Sequence, residues 1–365
     1  MVGGAVRDML AGQEIADVDF ASPLPPEAVM ARAQAAGVQF VPTGLSHGTV
    51  TLLVSGQGFE ITTLRRDVET DGRRARVAFI DDWQADAARR DFTINAMSCS
   101  QDGQIFDYFG GQADLAAGIV RFVGPARQRI AEDYLRVLRF FRFFARYGQT
   151  PPDPEATMAI TAMRDGLSGL AAERIWREMK KILQAPAPLA SIRLMQETGV
   201  LETILPGALP ERLAGLLARG APVDPLLRLA ALTDEDLAAR LRLSNAEQLL
   251  LAQWRAPFAM SPDADELSLS RALADTPRAV LLGQSWLYGG DDAGWAGFRT
   301  RLEALKAPVF PLLGRDLAAM GIQAGPKMGN ILASTRQWWW EGGCVANKAT
   351  CLAQAEKIRA GLAGP

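Results

Sequence analysis

Segments with β-strand character are confined to the first eighty residues of this chain, and this uneven distribution constrains the fold more than any other feature. Short runs rich in β-branched and aromatic residues alternate there with glycine-containing turns. Beyond about residue 125, apolar residues instead recur at helical spacing. The predicted strands are 18–21, 49–54, 59–64 and 77–80. The pattern predicts an α+β protein, in which a head with a small sheet is followed by an all-helical body.

Within the helical part, proline and glycine separate the segments and indicate their limits. The clearest helical segments are 135–147, 171–183, 188–197 and 234–254. Residues 207–225 are rich in Ala, Leu, Gly and Pro, so we expect them to be loosely ordered between helices. Boundaries near Gly124, Pro186 and Pro308 divide the chain into four predicted domains. These are a head at 1–124, a helical neck at 125–186, a helical body at 187–307 and a helical tail at 308–365.

The composition excludes several classes of protein. Of the 365 residues, 48% are apolar, but no stretch approaches the length of a membrane span and the first residues do not follow a signal-peptide pattern. Three cysteines without C-x-x-C spacing fit a reducing compartment, so we expect a cytoplasmic protein with no membrane partner. The single histidine, His47, excludes histidine-based triads and zinc sites with several histidines. Any catalysis must depend on carboxylates and metal.

Positive charge is concentrated in the N-terminal half, although the formal net charge is only −2. Seven arginines fall within 121–146, where the only acids are Glu132 and Asp133, and five more fall within 65–76. A net charge near zero does not by itself indicate a nucleic-acid binder, because averages conceal such clusters. The clusters favour a site for a polyanion in this half of the chain.

A glycine pair and two spaced carboxylates near the N-terminus form the first candidate site. Gly3 and Gly4 allow a backbone to approach a phosphate closely, and Arg7 is placed to meet its charge. Asp17 and Asp19 would project from the same face of a strand, with Cα atoms roughly 7 Å apart. A divalent cation such as Mg²⁺ would keep both ionised. The alternative is a solvated strand end, which is the commoner meaning of D-x-D.

The second candidate site is the segment 89–97, with paired arginines, an acid and an asparagine beside an apolar run. Arg89 and Arg90 suit triphosphate oxygens, and Asn95 suits a sugar hydroxyl. The alternative is an ordinary capped helix with Asp91 or Thr93 as its N-cap.

The third candidate is 132–144, which is apolar except for its acids and arginines and is predicted to be a buried helix. At 3.6 residues per turn, Asp133 and Arg136 are neighbours, Arg139 stays close and Arg142 lies further round. The alternative is an internal ion pair between Asp133 and Arg136, with the other arginines extended to solvent or paired with acids elsewhere. The candidate acids are Glu173 and Glu178.

These motifs, taken in order, resemble those of class II tRNA nucleotidyltransferases, the family of CCA-adding enzymes and bacterial poly(A) polymerases within the DNA polymerase beta superfamily. The resemblance covers nearly the whole chain. It implies a DNA polymerase beta-like head with a small mixed sheet, followed by a helical neck, body and tail. The matching segments are 3–19 for the metal motif, 89–97 for ribose and triphosphate, 107–115 for the hinge, 132–136 for the base-selecting template, 173–175 for the neck helix and 313–326 for the tail.

The resemblance implies template-independent addition of C, C and A to the 3′ end of tRNA from CTP and ATP, with Mg²⁺ as cofactor and pyrophosphate as product. It assigns metal binding and catalysis to Asp17 and Asp19. Glu60 lies on a neighbouring predicted strand and is either a further catalytic residue or a plain strand-edge acid. The implied nucleotide-binding residues are Gly3, Gly4, Arg7, Arg90, Asp91, Asn95, Asp133, Arg136, Arg139 and Arg142. The implied RNA contacts are Arg315, Gly325 and Lys327, near the start of a helix whose free N–H groups suit phosphate.

Hydrogen-bond inventories explain how the template residues Asp133 and Arg136 would select a base. A carboxylate accepts and a guanidinium donates, so the pair suits the amino group and the acceptors of cytosine, and of adenine after a small shift. Uracil places an acceptor against the carboxylate and a proton against the guanidinium. Each mismatched, desolvated group costs roughly 1–3 kcal/mol. The pair therefore accepts C and A and rejects U.

Two alternatives to CCA addition remain at this point. A bacterial poly(A) polymerase has the same head motifs, although the segment 67–77 resembles a loop that favours ATP after two cytidines. Family members also carry a helix and most of a strand before the double glycine, which here begins at the third residue. The second alternative is therefore a catalytically impaired, N-terminally truncated tRNA-binding protein. Both a monomer and a homodimer are compatible with the sequence.

Overall fold

The computed structural model of the chain describes residues 1–15, 17–70 and 75–361, which fold into two units. The first unit comprises Met1–Pro210, Val223–Pro225 and Glu235–Leu243. The second comprises Glu211–Pro222, Leu226–Asp234 and the described residues from Ser244 onward. The finer division into head, neck, body and tail stays a prediction.

A four-stranded mixed sheet lies in the first unit. Its strands are β1 (Asp19–Ser22), β2 (Gln39–Gly44), β3 (Thr49–Val54) and β4 (Gln57–Thr63), in the order β1-β4-β3-β2. Strand β1 runs parallel to β4, while β4 with β3 and β3 with β2 are antiparallel. Two antiparallel ribbons accompany the sheet, β5 (Arg65–Thr70) with β6 (Ala75–Phe79) and β7 (Met97–Cys99) with β8 (Ile105–Asp107). The predicted α+β class with a small mixed sheet is confirmed.

Four of these strands, β2, β5, β7 and β8, were not predicted, and each lacks the usual signal for a physical reason. Strand β2 contains Pro42 and lies at the sheet edge, where a missing N–H is tolerated. Strand β5 is mostly charged or polar, and β7 and β8 are three residues long.

Helices α1 to α4 belong to the first 124 residues, and helices α5 to α10 follow within the first unit. They are α1 (Gly4–Leu10), α2 (Pro26–Ala35), α3 (Trp83–Ala88), α4 (Gly111–Ala117), α5 (Ala126–Glu132), α6 (Leu135–Tyr147), α7 (Pro154–Met163), α8 (Ala172–Leu183), α9 (Leu189–Glu197) and α10 (Val200–Ile204). Short 3₁₀ turns lie at Leu45–His47, Thr93–Asn95 and Arg164–Gly169. Helix α6 matches the predicted 135–147, and α8 and α9 each begin one residue after the predicted start.

The remaining helices are α11 (Pro210–Ala218), α12 (Pro225–Leu232), α13 (Ala238–Leu241), α14 (Asn245–Arg255), α15 (Glu266–Asp275), α16 (Arg278–Tyr288), α17 (Ala293–Ala304), α18 (Gly314–Ala319), α19 (Pro326–Glu341) and α20 (Lys348–Gly361). The prediction of loose order across 207–225 is wrong for α11, which opens with a proline suited to the first helical turn. The prediction of one helical segment over 234–254 is also wrong. Arg242 takes a left-handed φ of 48°, and Ser244 then starts a new helix by forming a capping box with Glu247.

An aromatic core joins the segment around Phe92 to helix α6. Phe92 and Phe140 are fully buried, with ring centroids 6.4 Å apart. The Phe92 ring also lies 4.8 Å from that of Phe122 and meets Phe143 edge-on at 5.3 Å. Pairs in these geometries add about 0.5–1.5 kcal/mol each beyond simple burial. This packing fixes the residues beside Phe92 against the arginines of α6.

The second unit has its own apolar cores. One is built from the fully buried Leu269, Phe298 and Leu302, and the other from residues that include Trp339 and Cys351. Within the described ranges, no helix is both long and apolar enough to cross a bilayer. The three cysteines are free thiols.

Candidate active site

A cavity of about 1150 Å³ in the first unit collects the candidate residues. Its walls come from α1, the start of β1, the segment 89–95, α6 and α8. Nine cationic side chains and five carboxylates line it, so the walls carry a positive excess suited to polyphosphate. The cations are Arg7, Arg89, Arg90, Arg136, Arg139, Arg142, Arg146, Arg174 and Lys181, and the carboxylates are Asp8, Asp17, Asp19, Asp91 and Asp133.

Asp17 and Asp19 both line this cavity. Only Asp19 lies on a strand, because β1 begins there, so the prediction that both carboxylates project from one strand is wrong. Burial raises the pKa of Asp19; Arg90 opposes this shift, and the like charge of Asp17 adds to it. Two carboxylates whose charges repel form a hard-oxygen donor set that suits a divalent cation. The described residues contain no group of three or more His, Cys, Asp or Glu side chains placed to hold a metal.

Glu60 lies directly opposite Asp19 in the parallel β1–β4 pair. Residues in register point to the same face of a sheet, and adjacent strands are about 4.8 Å apart. Glu60 is exposed and does not line the cavity. Glu60 is therefore a neighbour of Asp19 in the sheet, although it lies outside the cavity lining. Its catalytic role stays a prediction.

The glycine turn packs against Arg90. Gly3 has a φ of 69°, and a Cβ atom there would collide with the Arg90 guanidinium, so the turn requires glycine. Gly3 also donates its N–H to the carbonyl of Met97 at 3.0 Å. Gly4 lines the cavity at the start of α1.

Arg7 is held by protein groups on several sides. Its guanidinium donates to both carboxylate oxygens of Asp8 at 2.9 and 3.1 Å and to the side-chain oxygen of Asn95. Its Cζ lies 4.6 Å from the ring centre of Tyr147 and 5.0 Å from that of Phe143. The Tyr147 hydroxyl donates to Asp8, and burial together with this hydrogen bond raises the pKa of Tyr147. Arg7 is therefore oriented rigidly, and α1 is fixed to α6 at this point.

Asp91 is the most tightly held carboxylate of the site. It accepts from its neighbour Phe92 N–H at 3.0 Å, from Asn95 Nδ2 at 3.0 Å and from Arg139 Nε at 2.5 Å. Burial opposes its ionisation, but Arg139 and the Asn95 hydrogen bond together hold the pKa of Asp91 below its usual value. Neither Asp91 nor Thr93 caps a helix, since the 3₁₀ turn begins after Phe92, so the capped-helix alternative is wrong.

Arg89 and Arg90 share a buried partner, Asp86, with N–O distances of 2.8 and 3.5 Å. Burial lowers the pKa of Arg90, while Asp86 opposes this shift. The longer and looser pairing leaves Arg90 the better placed of the two to meet a substrate anion.

Sequence reasoning missed Arg129, which connects the second motif to the third. This buried arginine donates from Nη2 to the carbonyls of Arg89 and Arg90 at 2.6 and 2.7 Å, and from Nη1 to Glu132 at 2.5 Å. Glu132 in turn pairs with Arg136, which also donates to the Arg129 carbonyl at 2.8 Å. The only sequence signal was its membership of the arginine cluster in 121–146.

Asp133 and Arg136 both line the cavity, but not as helical neighbours. Asp133 has extended backbone angles and separates α5 from α6, so the prediction of one helix over 132–144 is wrong. Its carboxylate accepts from the Leu135 N–H at the start of α6 at 3.0 Å and pairs with Arg174 at 2.8 Å. The alternative of an Asp133–Arg136 ion pair is wrong as well, because Arg136 pairs with Glu132. The two side chains keep acceptor and donor groups for a ligand.

Arg142 contacts both carboxylate oxygens of the buried Glu178 on α8, at 3.2 and 3.0 Å. The Glu178 partner anticipated from the sequence is thus present. Burial lowers the pKa of Arg142, and the neighbouring Arg139 adds to this shift. The pair joins α6 to α8 along the cavity wall.

The candidate RNA contacts lie in the second unit. Arg315 is exposed on α18, Gly325 precedes α19 with a φ of 152°, and Lys327 is exposed in its first turn. The loop segment 67–77 falls on β5 and β6, and its residues 71–74 lie outside the described part of the chain.

Comparison with known families supports the same interpretation. A model described as "Poly A polymerase head domain" matches residues 1–121, and one described as "Probable RNA and SrmB- binding site of polymerase A" matches residues 152–211. CCA tRNA nucleotidyltransferase 1, mitochondrial, of Danio rerio is 39% identical over 93% of this chain and 82% of its own length. The CCA-adding enzyme of Levilactobacillus brevis is 33% identical over 91% of this chain and 86% of its own.

Solved structures of similar fold include complexes with a nucleotide and with tRNA. The Bacillus stearothermophilus CCA-adding enzyme in complex with CTP aligns with 98% of this chain and 93% of its own, at 27% identity and a TM-score of 0.72. The Thermotoga maritima CCA-adding enzyme complexed with tRNA aligns with 99% of this chain and 90% of its own, with a TM-score of 0.66. At 20% identity, that second likeness concerns the fold alone.

Proposed function

Because the chain belongs to the family of CCA-adding tRNA nucleotidyltransferases, we propose that it adds C, C and A in turn to the 3′ end of tRNA, using CTP and ATP and releasing pyrophosphate. Nucleotidyl transfer is supported most directly by one observation. A single cavity brings together the Asp17 and Asp19 carboxylates, the Arg90 corner and the Asp133 and Arg136 template. Carboxylates, phosphate-binding cations and base-selecting groups are the three parts that this reaction needs.

The base of the incoming nucleotide is proposed to meet Asp133 and Arg136. Arg174 occupies one carboxylate oxygen of Asp133, and Glu132 orients the Arg136 guanidinium. An ionised carboxylate has about four acceptor sites and a guanidinium five donors, so both retain capacity for a base edge. The amino group of cytosine or adenine would donate to Asp133, and Arg136 would donate to the ring acceptors.

The triphosphate is proposed to lie beside the glycine turn and Arg90, and the ribose beside Asn95. Asn95 is fixed because its Nδ2 donates to Asp91 and its oxygen accepts from Arg7. Oriented donors of this kind stabilise developing charge without reorganising during the reaction. Arg139 holds Asp91 and thereby positions the whole corner.

Asp17 and Asp19 would hold the divalent metal that this family uses, and we propose Mg²⁺ because their oxygens are hard ligands. When bound there, the metal would supply charge stabilisation at the reacting phosphate and activation of the attacking hydroxyl. We also propose a cytoplasmic location, since the free thiols fit a reducing compartment.

Incubation of the purified protein with tRNA lacking its 3′ CCA tests this function. CTP alone should add two nucleotides, ATP alone should add none, and the two together should add three and then stop. Long tails from ATP alone would indicate a poly(A) polymerase. Absence of any addition with both nucleotides present would contradict the proposal altogether.

A further inference from the structure

Nine cations line the cavity, and seven of them pair with a carboxylate of the first unit. Arg7 pairs with Asp8, Arg89 and Arg90 with Asp86, Arg136 with Glu132, Arg139 with Asp91, Arg142 with Glu178 and Arg174 with Asp133. Arg146 and Lys181 differ, because no carboxylate among residues 1–15, 17–70 and 75–361 lies within 4 Å of either group. Both are exposed, and the Arg146 Cζ lies 5.9 Å from the Tyr147 ring centre.

These two cations lie at corresponding ends of two helices. Arg139, Arg142 and Arg146 follow one face of α6 at i, i+3 and i+7, and Arg174, Glu178 and Lys181 follow one face of α8 at i, i+4 and i+7. The two faces are joined by the Arg142–Glu178 pair. Arg174 reaches Asp133 at the beginning of α6, so the helices run in the same direction. Arg146 and Lys181 therefore lie together at the far end.

This far end is separate from the base-selecting end. Arg136 and Arg146 are ten residues apart on a helix, roughly 15 Å along its axis at about 1.5 Å per residue. The far end adjoins α1, since Tyr147 contacts Arg7 and Asp8. Gln184, whose amide can donate to phosphate oxygens, lines the cavity just beyond Lys181. The cavity thus has one end for a base and another where two cations have no carboxylate partner among the described residues.

We propose that Arg146 and Lys181, with Gln184, bind the last phosphodiester groups of the RNA acceptor strand. The inference rests on the proposed function and adds a subsite to it. An attacking strand must bring its 3′-hydroxyl to Asp17 and Asp19, which line the same cavity, so its preceding phosphates must lie along the cavity wall between these carboxylates and the solvent. Long, exposed cationic side chains contact such a backbone without reading its sequence, and every acceptor strand carries these phosphates.

The test compares the double variant Arg146→Gln/Lys181→Gln with the control Arg177→Gln. Arg177 is exposed on the same helix α8 but does not line the cavity. The dissociation constant of tRNA lacking CCA is measured by fluorescence anisotropy at several salt concentrations. Each phosphate contact contributes about 0.7 to the salt slope for a single strand, so the double variant should lower the slope by about 1.4. At about 0.1 M salt this corresponds to roughly 25-fold weaker binding.

Three results would overturn the assignment. An unchanged slope and affinity would mean that the two charges are only solvated. A loss of salt slope half as large in Arg177→Gln, which removes one charge instead of two, would indicate diffuse attraction rather than a subsite. A rise confined to the KM for CTP would place the cations on the triphosphate of the incoming nucleotide. Because RNA binding is measured without turnover, failure of the proposed CCA addition would appear separately, as wild-type protein that binds tRNA but adds no nucleotide.

Discussion

The substitution Asp91→Asn removes the charge from the most tightly held carboxylate of the site while preserving its shape. Asp91 accepts hydrogen bonds from Phe92 N–H, Asn95 and Arg139, and an amide nitrogen in place of one oxygen would face at least one of these donors. Breaking a buried ion pair by removing one partner costs about 3–5 kcal/mol. The Arg139 side chain is 33% exposed and can regain some hydration, so we expect the lower end, about 3 kcal/mol.

Differential scanning calorimetry measures this effect directly. For a unit of this size, about 3 kcal/mol corresponds to a fall in melting temperature of roughly 6–12 °C at pH 7. The matched control is Asp165→Asn, because the Asp165 side chain is 94% exposed and lies 3.9 Å from Arg164. The control should change stability by less than about 0.5 kcal/mol.

The stability difference between wild type and Asp91→Asn, measured as a function of pH, tests the direction of the Asp91 pKa shift. The folded protein holds the pKa of Asp91 below its usual value, so its ionised form stabilises the fold above the unfolded pKa of about 3.9. The stability difference between wild type and Asp91→Asn should be constant above about pH 5 and should shrink as the pH falls through the folded pKa. A change in melting temperature no larger than that of the control, or a difference that grows on acidification, would refute the reasoning.

Three further predictions concern activity. Asp17→Ala should lower single-nucleotide incorporation by more than about 100-fold without altering tRNA binding, because a metal ligand is lost, and near-normal turnover would exclude the metal assignment. Arg129→Met should weaken the selection of CTP over UTP and destabilise the protein by about 2–4 kcal/mol, since a buried charge network loses its centre; selectivity equal to wild type would limit Arg129 to a structural role. Deletion of 71–76 should spare C addition and impair A addition, whereas equal loss of both would argue against a role in nucleotide choice.

Sequence patterns predicted the parts of the fold in which local and long-range preferences agree. Helix α6 combines strong periodicity with a buried aromatic face, and its limits were predicted to the residue. The break before it was missed, because no glycine or proline marks it in the sequence and the partner of Asp133, Arg174, lies 41 residues away. Edge strand β2 was missed because it contains Pro42, which a strand tolerates only at a sheet edge, and the sequence did not show which strand would be the edge.

The sequence predicted which residues line the site better than it predicted which of them pair with each other. The candidate aspartates and arginines do line one cavity, and the charge excess anticipated from the clusters is present there. Their pairing was not predictable, because Arg136 meets Glu132 while Asp133 meets Arg174, 41 residues away. Arg129 was missed for the same reason, because it donates to backbone carbonyls 39 and 40 residues away in the sequence. Sequence spacing constrains which residues can be neighbours within an element, but contacts between elements depend on packing.

The central claim is that two side chains of the protein, Asp133 and Arg136, choose the nucleotide. It is tested most directly by the ratio of kcat/KM for CTP to kcat/KM for UTP in wild type and in Asp133→Asn, with Asp165→Asn as control. Asparagine offers a donor as well as an acceptor, so uracil O4 regains a partner worth roughly 1–3 kcal/mol, and the ratio should fall about 5- to 150-fold. An unchanged ratio, with both nucleotides slowed equally, would contradict the account.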